Sequence, residues 1–288
     1  MLETMMRWCL SFAFLVAMVM PVGAQSYFSI VDDDADNVEA VSSVKRVADR
    51  RGVKVSFAVI AERLRDKEKL ISLLLDYQKQ GHGICNHSFS HNIDFWSHPT
   101  EEKVEWEMER SEAVLDSLGF RHHDYFVYPF GTFPASTYQW LVPLASAHYR
   151  MALGCRGYGN DLNATNRYNI ARLPLRKHDN MFVVKHIIDE AVEKNQWLVF
   201  LNHSGMARDY SEERLDEVIA YCQAKGMKNV TIYEADSLNI LKGNDASVSV
   251  WTKGNEVFYL LYMHVGWVLF AAVICVAGGL YVWKLRRI

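Results

Sequence analysis

The sequence predicts an α/β protein whose main domain is an irregular (β/α) barrel, followed by one C-terminal transmembrane helix. Between residues 25 and 242, short β-branched runs alternate with longer amphipathic runs, which is the pattern of βα units around a mostly parallel sheet. Seven or eight such units exceed what an open three-layer sheet commonly needs, so their number favours a barrel. Strands are predicted near residues 27–31, 53–60, 83–86, 125–128, 150–153, 170–175, 197–201 and 230–233.

Helices fill the gaps between these strands. Apolar residues recur at helical spacing over residues 66–80, 101–118, 180–194 and 212–225. In the first of these segments Leu70, Leu73, Leu74 and Tyr77 share one face, and Gly81 follows directly. Gly119 and Gly226 follow the second and the fourth segment. Glycine favours the left-handed conformation that commonly ends a helix, so these positions predict the helix ends.

Composition excludes two broad classes of protein. The 288 residues are 50% hydrophobic and 23% charged, which is ordinary for a globular core and excludes disorder as the main state. The net charge of -3 offers no polycationic surface, so no nucleic-acid partner is expected. The sequence does not specify an oligomeric state.

Both ends of the chain carry apolar segments. Arg7 precedes an apolar stretch over residues 8–20, and small residues precede Gln25, which predicts a cleaved export signal over residues 1–24. A retained membrane anchor is the alternative. Residues 257–283 contain no Asp, Glu, Lys or Arg, and this length exceeds the roughly 20 residues that cross a bilayer. These residues predict a transmembrane helix.

The two segments predict one topology. Lys284, Arg286 and Arg287 follow the helix and place the tail, residues 284–288, in the cytoplasm. The barrel, residues 25–242, then lies outside the cytoplasm, joined to the helix by a polar tether over residues 243–256. We expect a single-pass protein of the inner (plasma) membrane with a periplasmic domain, although the same topology fits a Gram-positive cell surface. Of five cysteines, Cys85, Cys155 and Cys222 remain in the domain, and at least one must be a free thiol.

Ionisable residues stand at the ends of three predicted strands. In parallel α/β architectures, catalytic groups gather where strand C-termini meet their loops. We therefore expect these residues to converge on one site. The pair His87 and His91 is the strongest signal, because imidazole pairs bind metals, and the strand-like residues Ile84 and Cys85 argue against a helical surface pair. The other residues at strand ends are Asp32, Asp33, Asp34, His203 and the run Tyr128-Pro129-Phe130-Gly131.

Together these motifs resemble the polysaccharide deacetylase family, the NodB-homology domains of carbohydrate esterase family four. That family has an Asp-Asp pair after its first strand, a His-Ser/Thr-X-X-His motif, a Pro-Tyr/Phe-Gly loop and a Leu-X-His motif. The resemblance covers about residues 26–241 and implies an irregular (β/α) barrel of the NodB-homology type. The similar runs here, in the same order, are Asp33-Asp34, His87-Ser88-Phe89-Ser90-His91, Pro129-Phe130-Gly131 and Leu201-Asn202-His203.

The resemblance also implies roles for these residues. Asp34, His87 and His91 would hold a divalent metal, commonly zinc, with cobalt, nickel or manganese as alternatives. Asp33 would be the general base and the backbone N–H of Phe130 an oxyanion donor, while His203 would protonate the departing amine. The triple aspartate leaves a second registration open, in which Asp32 is the base and Asp33 the metal ligand.

Two features of the family are absent from the sequence. The arginine that orients the catalytic base in the family falls at Val127 or Tyr128, and no Asp-Trp motif is evident. Arg172 could approach the site from another strand. The first hypothesis is a metal-dependent hydrolase that deacetylates an envelope or secreted glycan, such as an N-acetylglucosamine polymer or peptidoglycan. The alternatives are a catalytically silent glycan-binding or scaffold domain, and a related amidase acting on a non-sugar substrate.

Overall fold

The computed structural model describes residues 25–242, apart from residues 94, 95, 97, 132–134 and 156. The strands are β1 (Tyr27–Asp32), β2 (Ser56–Val59), β3 (Gly83–Asn86), β4 (Tyr125–Val127), β5 (Met151–Leu153), β6 (Gly159–Asn160), β7 (Leu173–Pro174), β8 (Trp197–Asn202) and β9 (Lys228–Asn229). The helices are α1 (Val38–Arg51), α2 (Glu68–Lys79), α3 (Glu101–Ser117), α4 (Ala135–His148), α5 (Met181–Glu193), α6 (Glu212–Ala224) and α7 (Ile232–Ser237).

One mostly parallel sheet contains all nine described strands, with β1 near its centre. The main order is β5-β4-β3-β2-β1-β8-β6, β7 pairs with β8, and β9 pairs with β1. β1 and β8 pair in parallel along their whole length, from Tyr27 opposite Trp197 to Asp32 opposite Asn202. Only β6 runs antiparallel to its neighbour. The predicted α/β class is confirmed, and so are the helices predicted over residues 66–80, 101–118, 180–194 and 212–225, each within a few residues of its ends.

A short irregular segment joins the two sides of the sheet. Leu153 at the end of β5 forms a parallel bridge with Ile170, and the Ile170 N–H donates to the Ala152 carbonyl at 3.0 Å. Three residues later, Leu173 of β7 pairs in parallel with Phe200 of β8. Hydrogen bonding therefore passes from β5 through residues 170–174 to β8 and back to β1. This path gives the sheet the form of an irregular barrel.

Alternation along the strands separates two apolar layers. Phe28 and Ile30 of β1 pack in one cluster with the helices that cover the sheet. Val31 of the same strand packs instead with Cys85 and Trp197, in a second cluster that fills the barrel interior. Because successive side chains of a strand point to opposite faces, residue parity decides which layer a side chain enters.

The predicted strand over residues 230–233 is wrong. β9 is only Lys228–Asn229, and α7 begins at Ile232. Thr231 forms a capping box, in which its side chain accepts from the Glu234 N–H and the Glu234 carboxylate accepts from the Thr231 N–H. The β-branched run is apolar because Val230 and Ile232 fill the barrel interior, and burial alone does not distinguish a strand from the start of a helix.

Several sequence predictions fall on other parts of the chain. The export signal, the tether, the transmembrane helix and the tail all lie outside the described residues. Within the described residues, no helix has the length and apolar character needed to cross a membrane. Among the described residues, Cys85, Cys155 and Cys222 form no disulfide, so Cys155 and Cys222 do not pair.

The Asp236 side chain, which is 3% exposed, links α7 to β4 and to two arginines outside the helix. It accepts hydrogen bonds from Tyr125 at 3.0 Å and from Arg150 and Arg167. Removing this buried carboxylate leaves Arg167, which is 19% exposed, without its counter-charge, and leaves Tyr125 without its acceptor. We expect Asp236→Ala to lower the free energy of unfolding by about 3 kcal/mol, measured by urea denaturation followed by tryptophan fluorescence.

Asp124→Ala is the matched control, because Asp124 is 43% exposed and lies 3.8 Å from Arg150. Its unfolding free energy should stay within about 0.5 kcal/mol of the wild-type value. Equal losses in the two variants would contradict the assigned importance of Asp236.

Candidate metal centre

Alternate residues of β1 point to opposite faces of the sheet, so the three consecutive aspartates at its end do not share one environment. The Asp33 N–H donates to the Asn202 carbonyl at 2.8 Å, so the ladder between β1 and β8 continues one residue beyond the strand. Asp33 therefore follows Val31 into the barrel interior, whereas Asp32 follows Ile30 toward the helices. Asp34 has a φ of 54° and leaves the strand direction. Three identical side chains thus enter three different environments.

Asp33 forms a buried ion pair with Arg172. The Asp33 Oδ1 accepts from the Arg172 Nη1 at 2.7 Å, and the two side chains are 3% and 0% exposed. Arg172 also donates from Nε to the Gly154 carbonyl at 2.6 Å. The arginine thus reaches the aspartate from the segment that joins β5 to β8. This is the approach from another strand that the sequence left open.

The same contacts keep Asp33 ionised at neutral pH. Burial raises the pKa of Asp33, but the positive charge of Arg172, and the nearby His87 and His203, outweigh burial and lower the pKa below its usual value. The free Asp33 Oδ2 lies 3.8 Å from the His87 Nε2. One carboxylate oxygen is thus fixed by Arg172, and the other faces His87.

Asp34, His87 and His91 bring three ligand atoms together. The Asp34 Oδ1 lies 3.9 Å from the His87 Nε2 and 3.8 Å from the His91 Nε2. Their ligand atoms all lie within 4.8 Å of one another, as the donors around one ion would. The Asp34 Oδ1 is buried and forms no hydrogen bond. The Arg63 Nη1 lies 3.7 Å from this oxygen, beyond hydrogen-bond distance. A divalent metal would supply the close contact that the buried oxygen lacks.

The state of His87 also fits a metal. Its Nδ1 lies 2.7 Å from the Val127 carbonyl and so carries the proton, which leaves Nε2 free as a ligand. Burial lowers the pKa of His87 to about 4. Burial likewise lowers the pKa of His91. Both imidazoles are therefore neutral at neutral pH, the form in which histidine binds metals.

Asp32 belongs to a different set of contacts. Its Oδ1 accepts from the Asn202 side chain at 2.5 Å and from the Ser204 N–H at 2.9 Å, and its Oδ2 accepts from the Ser204 hydroxyl at 2.6 Å. Burial raises the pKa of Asp32 to about 7, although these hydrogen bonds lower it. Its two donor residues flank His203, so Asp32 holds the strand end that carries this histidine.

The Phe130 ring packs against His91. Its ring centroid is 4.6 Å from that of His91, and its φ of 57° is in the left-handed region. Gly131 follows with a φ of 56°, and a Cβ there would lie 2.0 Å from the Cys155 Sγ. The close approach of Cys155 therefore requires glycine and fixes the backbone directly after Phe130.

The structure places Asp33, Asp34, His87 and His91 in one cluster. The Phe130 ring contacts His91, and His203 lies near enough to Asp33 to lower its pKa. Sequence reasoning missed the contacts of Asp32 with Asn202 and Ser204. The signal available was parity, because Asp32 and Asn202 occupy equivalent outward positions on neighbouring strands. Glu105, Glu109 and His148 form a second, exposed group of possible ligands.

A family model gives the decisive comparison. The model described as polysaccharide deacetylase matches residues 22–147, which include Asp33, Asp34, His87, His91 and Phe130. The resemblance to the polysaccharide deacetylase family is confirmed. Arg172 and His203 lie beyond the matched segment. No curated protein matches the chain.

Solved structures of this deacetylase family share the fold. The Xyl-CE4 domain of a multidomain xylanase from the hindgut metagenome of Trinervitermes trinervoides is 17% identical, with a TM-score of 0.53 over 78% of this chain and 95% of that domain. A CE4 family pseudoenzyme from Bacillus anthracis is 12% identical, with a TM-score of 0.52 over 77% of this chain and 68% of that one. The Bc1960 peptidoglycan N-acetylglucosamine deacetylase is 17% identical, with a TM-score of 0.50 over 74% and 88%.

Removing the arginine of the buried ion pair should destabilise the protein strongly. Arg172→Met leaves the Asp33 carboxylate buried beside apolar atoms, and we expect the free energy of unfolding to fall by about 3–5 kcal/mol. The double variant Asp33→Asn with Arg172→Met removes both charges and should lose clearly less. Denaturant unfolding of the metal-free protein measures both values. A double variant as unstable as Arg172→Met would contradict the assigned ion pair.

Proposed function

We propose that the protein is a metal-dependent N-deacetylase that hydrolyses the acetamido groups of an envelope or secreted glycan and releases acetate. The substrate would be an N-acetylglucosamine polymer or peptidoglycan. The observation that carries the proposal is the convergence of Asp34, His87 and His91, with the Asp33 carboxylate beside them and held by Arg172. The family match supports the class of reaction.

The residues present fit a divalent metal, which we propose to be zinc, with cobalt, nickel or manganese as alternatives. Two neutral imidazoles and a carboxylate are a common ligand set for zinc, and three protein ligands leave room for water and substrate. When bound, such a metal would supply Lewis-acid activation of the water and of the acetamide carbonyl. Asp34, His87 and His91 would hold it.

Asp33 is the proposed general base. It is ionised at neutral pH, and its Oδ2 faces His87 while Arg172 holds its Oδ1. It would accept the proton of the attacking water and so make the water nucleophilic. The outward position of Asp32, with both oxygens engaged by Asn202 and Ser204, supports Asp33 rather than Asp32 in this role.

Phe130 and His203 would act on the two ends of the scissile amide. The backbone N–H of Phe130 would donate to the oxyanion as the carbonyl becomes tetrahedral. His203 would donate a proton to the departing nitrogen, which leaves as the free amine of the sugar. Acetate and an amino sugar are the products.

The alternative is a domain that binds glycans without hydrolysing them. One protein of similar fold is described as a pseudoenzyme, and a mutant of that protein as having restored activity, so this fold is compatible with either state. The arginine that orients the base in the family is absent from its usual position in this chain, and that absence is the argument for a silent domain. Arg172 provides a cation beside Asp33, and this ion pair favours a catalytically active domain over a silent one.

The location of the protein is a further part of this proposal. An export signal over residues 1–24 and a membrane helix over residues 257–283 would place the domain outside the cytoplasm of an inner (plasma) membrane protein. The described chain ends at Lys242, whose N–H donates to Leu162 near the end of the barrel at which the strands begin.

Substitution of the base should show which of two assignments is correct. In the first, Asp33 is the base and Asp34 a metal ligand, and in the second, Asp32 is the base and Asp33 a metal ligand. We expect zinc- or cobalt-dependent acetate release from N-acetylglucosamine oligomers or peptidoglycan, and a loss of about 10²-fold or more in Asp33→Asn. Asp32→Asn keeps an oxygen that accepts from the Ser204 N–H, so its rate of acetate release should fall much less. Acetate is measured with the full-length protein, with and without added metal. If Asp32→Asn loses activity and Asp33→Asn keeps it, the other registration is correct.

Accessibility in cells tests the topology. External protease should digest the domain in spheroplasts, or in intact cells of a Gram-positive host, and should leave a C-terminal reporter protected inside. A cytoplasmic control protein must stay intact. Protection of the domain under these conditions would exclude the proposed location.

A further inference from the structure

Glu107 is a buried carboxylate that the proposed reaction does not use. It lies on the buried face of α3, together with Val104, Met108 and Ser111, and is 1% exposed. Burying an ionised carboxylate is costly unless hydrogen bonds or a cation compensate it. Among the described residues, no lysine, arginine or histidine forms a salt bridge with Glu107. Its compensation must come from hydrogen bonds.

Both oxygens of Glu107 accept from one residue of the loop that carries His91. Oε2 accepts from the Ser90 N–H at 2.8 Å, and Oε1 accepts from the Ser90 hydroxyl at 2.5 Å. Hydrogen bonds to an ionised acceptor are about twice as strong as neutral ones. The carboxylate therefore fixes Ser90, the residue directly before the metal ligand His91.

This loop needs such support because its backbone is strained. Ser88 and His91 have φ values of 67° and 53°, in the left-handed region that favours glycine. The His91 N–H donates to the Ser88 Oγ, and the Asn92 N–H donates to the Ser90 Oγ, both at 3.1 Å. Ser90 thus stands between the carboxylate of α3 and the turn that orients His91.

The two histidines differ in how they are held. His87 follows β3 directly, is 1% exposed, and is oriented by the Val127 carbonyl. His91 lies four residues farther along the loop, and its side chain is 12% exposed. Without a fixed Ser90, His91 is the ligand whose position would change.

We propose that Glu107 is a positioning residue for the metal ligand His91, acting through Ser90. The inference rests on the proposed function, because it assigns Glu107 to the metal site of that function. Glu107 contacts neither metal nor substrate. It keeps the His91 Nε2 turned toward the Asp34 Oδ1.

Metal affinity is the first test. Glu107→Met removes both acceptors while keeping a long side chain, and we expect the Kd for Zn²⁺ or Co²⁺ to rise about 10–100-fold in calorimetric titrations of the full-length protein. Glu107→Gln still offers an oxygen to the Ser90 N–H and an amide to the Ser90 Oγ, so it should restore most of the affinity. Glu102→Met, an exposed position on the same helix, is the matched control and should bind like wild type.

A double-variant cycle separates positioning from general stability. In a His91→Ala background, Glu107→Met should cause no further loss of metal affinity, because its effect passes through His91. Hydrogen exchange of the metal-free protein provides a second readout, in which Glu107→Met should speed exchange at the His91 and Asn92 amides. If Glu107→Met fails to fold, Ser90→Ala removes the hydroxyl contact with Glu107 and the acceptor of the Asn92 N–H, keeps the Ser90 N–H contact, and should still weaken binding.

The outcomes distinguish this inference from the proposed function. Wild-type affinity in both Glu107→Met and Ser90→Ala overturns the role of Glu107 and leaves the metal site intact. An additive loss in the His91→Ala background also overturns it. A wild-type protein that binds no divalent metal overturns the proposed function, and the role of Glu107 with it.

Discussion

The buried ion pair between Arg172 and Asp33 connects the fold to the site. Asp33 continues β1, which pairs with strands on both sides, and Arg172 belongs to the irregular segment between β5 and β8. The guanidinium also binds the carbonyl of Gly154, just after β5. One side chain thus joins the first strand to the segment where the barrel is least regular. A buried ion pair contributes little net stability compared with apolar packing. Its effect is to fix one arrangement, in which a single Asp33 oxygen stays free.

Residue parity explains how much of this site the sequence could predict. The strand ends, the pair His87 and His91, and the convergence at one edge of a parallel sheet all follow from local pattern and from the rule for strand C-termini. The choice among three consecutive aspartates also has a sequence signal. Ser29, Val31 and Asp33 share one parity, and Phe28, Ile30 and Asp32 share the other.

The parts that the sequence could not predict depend on distant contacts. Arg172 lies 139 positions from Asp33, and no local pattern indicates that residues 170–174 cross to β8. The error over residues 230–233 has a local origin, because β-branched residues at a buried helix start resemble a short strand. The capping box of Thr231 and Glu234 was the local signal for a helix. Glu107 is an intermediate case. Its place in the apolar stripe of α3 indicates from the sequence that this carboxylate is buried and needs a hydrogen-bond partner. Only the folded loop identifies Ser90 as that partner.

The barrel interior is apolar near the strand N-termini and carries charged side chains near the strand C-termini. Near the strand N-termini, α7 and the residues after it close the interior with Ile232, Ala235 and Leu241, packed against Trp197 and Tyr125. Even the polar groups there are satisfied internally, since the Ser29 hydroxyl donates to the Val230 carbonyl and accepts from Trp197. The inward positions at the opposite end carry Asp33, Arg172 and His87. Because the same strands supply both layers, apolar packing near the strand N-termini holds the charged groups near the strand C-termini at fixed distances.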